Sequence, residues 1–450
     1  MDTIVAVATS PGRSAIGIVR LSGPESLGIL QGLVHDPLFV PEPRQILLKQ
    51  ILRETGEPLD SALVSYFNRP NSFTGEDMVE LSCHGSPVIL RRVLDLTQSL
   101  GARLAEAGEF TLRAWKNGKV NLSQAEAIRD LINAQTDAAA AQAVRQLKGE
   151  LSTALQPAKE KLIQIIVRLE SALEFVEDDL PLVQVEQVLA ELAEVVGIVS
   201  SLAATFATGR ALREGLKVTI VGRPNVGKSS LFNRLVGMSR AIVTEIAGTT
   251  RDTISESISL GGVPISLTDT AGIRVANDKI EEIGVERTHQ AMADADLLIV
   301  VIDGSTSITD EDLDIVSRST KGRHVVVINK CDLVRKAGFE HQLDQASEVV
   351  HLSAATGEGL DNLYAAILGP FGIVDSEAAG LLITDSRHYD LLRRAQASLE
   401  GSVQLFNESA SEELVLVGLH NALQFLGEIT GETTTDDILA EIFSTFCIGK

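Results

Sequence analysis

The sequence predicts a multidomain protein with α/β and α parts: a small mixed α/β region, then a helical body interrupted by an inserted α/β domain. Three observations carry that reading. The apolar run 216–221 leads into GRPNVGKSS at 222–230 and on into the helix-like LFNRLVG. Further apolar runs at 265–267, 297–303 and 324–329 each end on polar residues, as in a wound parallel sheet with its loops at the strand ends. Helix-period stretches lie on both sides, over 119–210 and 375–450, and the first 118 residues hold several short strand-like runs.

The glycine-rich stretch reads as a phosphate cradle because a strand precedes it and a helix follows it. Gly222 and Gly227 let backbone N–H groups turn inward beside Asn225, Val226 and Ser230. Lys228 is placed to neutralise the outer phosphates and the Ser229 hydroxyl to ligate magnesium. DTAG follows at Asp269, Thr270, Ala271 and Gly272. Its carboxylate suits magnesium held through water, and the Ala-Gly turn offers a backbone N–H to the terminal phosphate. In NKCD, Asp332 accepts two hydrogen bonds from guanine, where adenine has no matching pair of donors. Lys330 packs its stem over the ring, and Asn329 ties this loop to the phosphate loop. Ser353, Ala354 and Ala355 follow a further strand, with backbone donors for the guanine carbonyl. Four segments in this order predict a Ras-like P-loop domain that binds GTP.

The segments between these motifs bear on hydrolysis. VTEIAGTTRDT brings Thr244, Glu245, Ile246, Ala247, Gly248, Thr249 and Thr250 to the nucleotide, and Thr250 is the candidate for magnesium and the terminal phosphate. Ile273, directly after DTAG, has no polar group to orient the attacking water. Glu281 or Glu282 in NDKIEEIGVE would serve, while a solvated helix start accounts for the same acids.

With 450 residues and 44% hydrophobic composition, the chain is long enough for two to four domains. Its 39 basic and 61 acidic residues give a net charge of -22, which disfavours wholesale wrapping by nucleic acid and leaves room for a local basic groove or a basic partner. Three cysteines, Cys83, Cys331 and Cys447, are too few for a disulfide framework. The N-terminus lacks a signal-peptide pattern and no apolar run is expected to reach membrane-spanning length, so a cytoplasmic protein with no membrane contact is expected.

At the start of the chain, TIVAVAT, AIGIVRL, LDSALVSYF and DMVELSC read as strands, with a helix over PVILRRVLDLTQSLGARLA. Arg20 and Glu80 interrupt apolar runs, and Arg113, Lys116 and Lys119 lie near Phe110 and Trp115. That mixture suits an anionic, partly aromatic ligand and equally suits salt bridges at a sheet edge. From Ser123, which with Glu126 offers a capping box, the periodicity turns helical, and Pro157 punctuates it. The simplest assembly is an N-terminal domain over 1–118, one helical domain from 119–210 and 375–450, and the nucleotide domain inserted at 211–374.

AVATSPGRSAIGIVRLSG, EFTLRAWKNGKVNLSQAEAIRDLI, GRPNVGKSSLFN, VTEIAGTTRDT, LTDTAGIR, NKCD and the terminal FCIGK together resemble the tRNA modification GTPase family known as MnmE or TrmE, over essentially the full length. The resemblance implies an N-terminal tetrahydrofolate-binding and dimerisation domain, a discontinuous helical domain and a GTPase domain stimulated by potassium. It implies potassium at Asn225, Thr244, Ile246 and Thr249, the catalytic glutamate at Glu281, and folate contacts at Arg20, Glu80, Lys119 and Lys450. Cys447 stands where the family has a near-terminal cysteine; it reads as a reactive thiol or as a small buried contact beside Phe446 and Ile448. The implied work is done as a homodimer with a flavoprotein resembling MnmG, which carries FAD. The pair would install an aminomethyl or carboxymethylaminomethyl group at C5 of the wobble uridine of tRNA, from 5-formyl- or 5,10-methylene-tetrahydrofolate, at the expense of GTP. A GTP-controlled scaffold for the same machinery is the alternative.

Overall fold

The computed structural model describes residues 2–174, 185–238, 255–269, 292–334, 343, 348–373, 380–408, 410–432 and 436–449. The chain divides into two compact units, residues 1–129 with 427–450, and residues 130–426.

The first unit is built on a six-stranded sheet in the order β3-β4-β5-β2-β1-β6. Its strands are β1 (Ile4–Val7), β2 (Ile16–Ser22), β3 (Ile46–Leu52), β4 (Pro58–Phe67), β5 (Met78–His84) and β6 (Arg103–Leu104). All pairings are antiparallel except β1 with β6. Helices Ser26–Leu33 and Pro87–Ser99 contribute Ile29, Leu30 and Val93 to a core with Val5, Val19, Leu21, Val64 and Leu81. Ile4 and Ala6, the alternate residues of β1, instead meet Ala105 and Phe110, so this strand is buried on both faces. The helix expected over 87–105 stops at Ser99. Gly101 takes a positive φ of 107°, and Arg103–Leu104 returns to the sheet as β6.

The helix Leu122–Asn133 starts two residues earlier than the Ser123 and Glu126 reading placed it. Asn121 is the cap: its Oδ1 accepts from the Gln124 N–H at 2.9 Å, and Gln124 Oε1 accepts from the Asn121 N–H at 2.9 Å. That reciprocal pair is a capping box, and it leaves Ser123 and Glu126 buried inside the helix. Leu122 and Ala125 pack there with Leu439, Phe443 and Phe446 from the end of the chain.

The second unit opens with helices Asp137–Leu147, Glu150–Glu174, Val185–Ala204 and Phe206–Glu214 and closes with Ser386–Asn407 and all but the last turn of Glu412–Thr430. Pro157 lies inside Glu150–Glu174 without ending it. Among the described residues one helical stretch, Val185–Glu214, is long and apolar enough to cross a membrane, contrary to the expectation from sequence. Just over a quarter of its apolar window, 28%, is buried inside the structure. Val188, Leu192, Val195 and Val199 form a buried stripe, while Glu186, Glu191 and Glu194 lie off it.

Between these helices lies the second sheet, order β12-β11-β10-β7-β9-β8. Its strands are β7 (Leu216–Val221), β8 (Ser255–Leu260), β9 (Val263–Asp269), β10 (Leu297–Asp303), β11 (His324–Asn329) and β12 (Val349–His351). Only β8 runs antiparallel. The apolar runs in β10 and β11 are continuous because both faces are covered. Ile299, Val301, Val325 and Val327 point into one core, and Val300, Ile302, Val326 and Ile328 into the other.

Entry to and exit from this sheet are stitched to one helix. Thr208 donates to the Phe371 carbonyl at 2.9 Å, Thr205 Oγ1 accepts from the Ile383 N–H at 2.9 Å, and Phe206 stacks on Tyr389. Arg213 bridges Asp130 at 3.0 Å and Asp385 at 2.8 Å. Within the second unit, the chain entering this sheet and the chain leaving it therefore meet at the helix Phe206–Glu214.

Candidate functional site

The C-terminal ends of β7, β9, β10 and β11 and the loop after β12 converge around residues 222–230. Gly222 takes φ +149°, and a Cβ there would run into the Val301 carbonyl. Gly227 takes φ +102°, and its Cβ would run into the Asn329 amide. Both positions require glycine, and Asn225 between them is left-handed at φ +63°. Lys228 is buried and its Nζ donates to the Arg223 carbonyl at 2.7 Å. Ser229 Oγ donates to Asp269 Oδ2 at 2.9 Å, joining the first turn of the helix to the last residue of β9.

Asn329 is the clasp of the site. Its amide nitrogen donates to the Val226 carbonyl at 2.9 Å and its Oδ1 accepts from the Ala354 N–H at 2.9 Å, so one buried side chain fixes two loops to each other. Lys330 has φ +66°, and its Nζ donates to the Asn225 carbonyl at 3.0 Å and to Asp303 Oδ2 at 2.6 Å. Burial pushes the Asp303 carboxyl upward, but hydrogen bonds from Lys330 and from the Ser305 side chain and backbone outweigh it and hold the group below the usual carboxylate range. Arg234 donates to the Ala354 carbonyl at 3.1 Å and also to the Ala355 carbonyl. Ser353 is buried and its hydroxyl accepts from the Thr356 N–H, whereas Asp332 is exposed. The arrangement can cradle phosphates against backbone N–H groups at one end and leaves a free carboxylate for a base at the other.

In the first unit, Arg20 and Glu80 face each other across β2 and β5, with Nε and a terminal nitrogen of Arg20 at 2.8 and 2.7 Å from one Glu80 oxygen. The remaining terminal nitrogen of Arg20 donates to the Gly449 carbonyl at 3.2 Å. Gly449 has φ +98°, a Cβ there would run into the Val7 carbonyl, and Ile448 bridges Ala107, so the tail is docked beside Arg20. Lys119 is tied elsewhere, its Nζ donating to the Pro70 carbonyl at 2.9 Å. Arg113, weighed as a ligand contact, is buried and internally paired: it reaches Asp2 at 2.8 Å, Glu76 at 3.0 Å and Glu109 at 3.0 Å. Two of these partners, Asp2 and Glu76, are 111 and 37 residues away in the sequence, while Glu109 is one helical turn away.

Two family models match. One, described as the GTP-binding protein TrmE N-terminus, covers residues 3–119, and the other, described as the MnmE helical domain, covers residues 122–447. The tRNA modification GTPase MnmE of Aquifex aeolicus is 46% identical over 100% of both chains. That of Koribacter versatilis is 45% identical, over 100% of this chain and 99% of its own. The chain belongs to the MnmE family of tRNA modification GTPases. It hydrolyses GTP and acts in tRNA modification, as this membership shows. A solved G domain of the T. maritima FeoB iron transporter is 26% identical and covers 35% of this chain and 98% of its own, but its TM-score of 0.27 is too weak to bear on function.

Within this MnmE-family chain, Thr244, Glu245, Ile246, Ala247, Gly248, Thr249, Thr250, Thr270, Ala271, Gly272, Glu281 and Lys450 lie outside the described residues. Among the described residues no group of three or more His, Cys, Asp or Glu side chains could hold a metal ion by itself. Ser229 with Asp269 nevertheless fits magnesium, which takes most of its ligands from phosphate and water. Of the three cysteines, Cys83 is buried, with its thiol pushed up to about 12 by burial. Cys447 is exposed, so it is not the small buried contact that one reading made it. Sequence reasoning missed Asp303, Arg234 and the 2.7 Å pair of Arg223 with Asp312. Asp303 carried a signal, since it ends a strand as Asp269 does.

Proposed function

We propose that this chain is the potassium-stimulated GTPase subunit of an enzyme that installs an aminomethyl or carboxymethylaminomethyl group at C5 of the wobble uridine of tRNA. It would work in the cytoplasm as a homodimer, with an FAD-carrying flavoprotein resembling MnmG. The observation that carries the reading is the docking of the C-terminal tail on Arg20, in a chain whose other unit gathers the nucleotide motifs at one set of strand ends.

In the nucleotide site, Lys228, which donates to the Arg223 carbonyl, would turn to the outer phosphates, Ser229 and Thr250 would hold magnesium, and Asp332 would read guanine with Ser353, Ala354 and Ala355 bordering the base. Asn225 supplies a side-chain oxygen and Thr244, Ile246 and Thr249 supply the rest of a cage for potassium, whose charge stands in for an arginine finger. Glu281 orients the attacking water, a task for which Ile273 has no group.

In the first unit, Arg20, Glu80, Lys450 and, once released from the Pro70 carbonyl, Lys119 would hold the folate, with the exposed Cys447 three residues before Lys450 in the sequence. The bound folate, 5-formyl- or 5,10-methylene-tetrahydrofolate, supplies the one-carbon unit and the partner's flavin the redox step. A homodimer is supported by exposed apolar side chains on the edge strand β3, where Ile46 and Leu48 are 66% and 68% exposed. The net charge of -22 favours leaving most of the tRNA contact to the partner.

The test is reconstitution: full chain, flavoprotein, reduced folate, GTP, potassium, glycine or ammonium, and unmodified tRNA, with the wobble nucleoside read by mass spectrometry. Product that requires this chain and GTP is expected. Product formed equally well without the chain would reject the role, and product formed without GTP hydrolysis would favour the scaffold reading.

A further inference from the structure

We propose that Asp303 is a positioning residue of the nucleotide site, holding the Lys330 side chain in the place from which its stem covers the guanine ring. The inference rests on the reading of Lys330 as the residue that packs on the base.

Lys330 carries four rotatable side-chain bonds on a left-handed backbone, and a lysine stem loses much freedom when it is fixed. Its Nζ is held from two sides, by the Asn225 carbonyl at 3.0 Å and by Asp303 Oδ2 at 2.6 Å. The carboxylate is itself immobile. Oδ1 accepts from the Ser305 N–H at 2.9 Å and from the Ser305 hydroxyl at 2.6 Å. The backbone that carries it is pinned as well, because Asp303 lies opposite Asn329 in the β10–β11 ladder and the Gly304 N–H donates to the Asn329 carbonyl at 2.8 Å. A Cβ at Gly304 would stand 2.9 Å from that carbonyl, so the turn closes tightly on the strand that leads into Lys330. Asp303 is nine-tenths buried, and on this proposal it would act on the base only through the lysine it holds.

A residue that acts through Lys330 leaves a signature that general stabilisation does not: its effect vanishes when Lys330 is gone. The experiment measures GDP and GTP affinity of the full chain by calorimetry for Asp303→Asn, Lys330→Ala and the double variant, with nucleotide-free melting temperatures and saturated GTP turnover. Asp303→Asn should weaken both nucleotides about tenfold, the scale of losing a charge-assisted hydrogen bond. The double variant should bind no worse than Lys330→Ala alone. Unchanged affinity in Asp303→Asn beside weakened Lys330→Ala, or full additivity in the double variant, overturns the proposal and leaves the nucleotide site standing. Unchanged affinity in Lys330→Ala removes the reading on which the proposal rests. Should Asp303→Asn fail to fold, Ser305→Ala replaces it: a loss of about threefold is expected from loosening the carboxylate, and no loss overturns the proposal.

Discussion

The Arg20 guanidinium holds the Glu80 carboxylate on one side and the Gly449 carbonyl, 3.2 Å away, on the other, so the second strand of the chain and its penultimate residue share one charged group. A ligand carboxylate that competes for this arginine must also meet the tail. Arg20→Ala and Lys119→Ala should each weaken 5-formyl-tetrahydrofolate binding by about tenfold or more, with GTP affinity unchanged. Calorimetry with both ligands on one preparation decides it, and unchanged folate affinity removes the residue concerned from the site.

A second expectation concerns the base. Asp332 is exposed and follows Lys330, with its carboxylate open to guanine donors. Asp332→Asn puts a donor where an acceptor is needed and should cost about two orders of magnitude in GTP affinity. Competition titrations of GTP against ATP would show it, and equal discrimination in the variant and the parent would count against the contact.

The proposed potassium dependence is tested at Asn225, which sits in the phosphate loop at φ +63° with its carbonyl held by Lys330. Its side-chain oxygen is then the part left for an ion. GTP turnover and G-domain dimerisation with a transition-state mimic should rise in potassium and hardly at all in sodium, and Asn225→Ala should lose much of that response at similar ground-state GTP affinity. Matched salts at equal ionic strength are the comparison; identical rates in the two salts would eliminate the ion mechanism.

Acid stability follows from the network around Arg113. Hydrogen bonding to Arg103 holds the Asp2 carboxyl down at about 2. Burial raises the Glu109 carboxyl, but Arg103, the Glu106 backbone and Arg113 outweigh it and leave the group lowered. Carboxylates depressed in the fold contribute stability above their unfolded-state values, and this is lost as pH falls through the folded ones. Melting temperature should therefore hold from about pH 7 to about pH 5 and decline below about pH 4. Arg103→Ala should flatten that decline, and a slope identical to the parent's would show that the network does not set it.

The parts legible in the sequence were those written locally. The strand-loop-helix at 216–238, the strand-end motifs and the apolar runs of β10 and β11 each carry their signal within a dozen residues. What sequence misplaced depended on competition or on distance. Asn121 with Gln124 outcompeted Ser123 with Glu126 for the helix start, because both pairs suit a capping box and only the onset of the helix decides between them. Arg113 looked like a ligand contact because its partners, Asp2 and Glu76, lie 111 and 37 residues away. The Arg20 pairing to Gly449 spans 429 residues, and the family resemblance, not periodicity, brought those two ends together.

The central claim is that GTP turnover at these strand ends serves modification of the wobble uridine, and nucleoside mass spectrometry of tRNA from cells lacking this gene tests it most directly. The deletion should abolish C5 modification of that uridine; the parent gene should restore it and the Asp332→Asn gene should not. Normal C5 modification in the deletion strain, with no second copy of the gene present, would contradict the account.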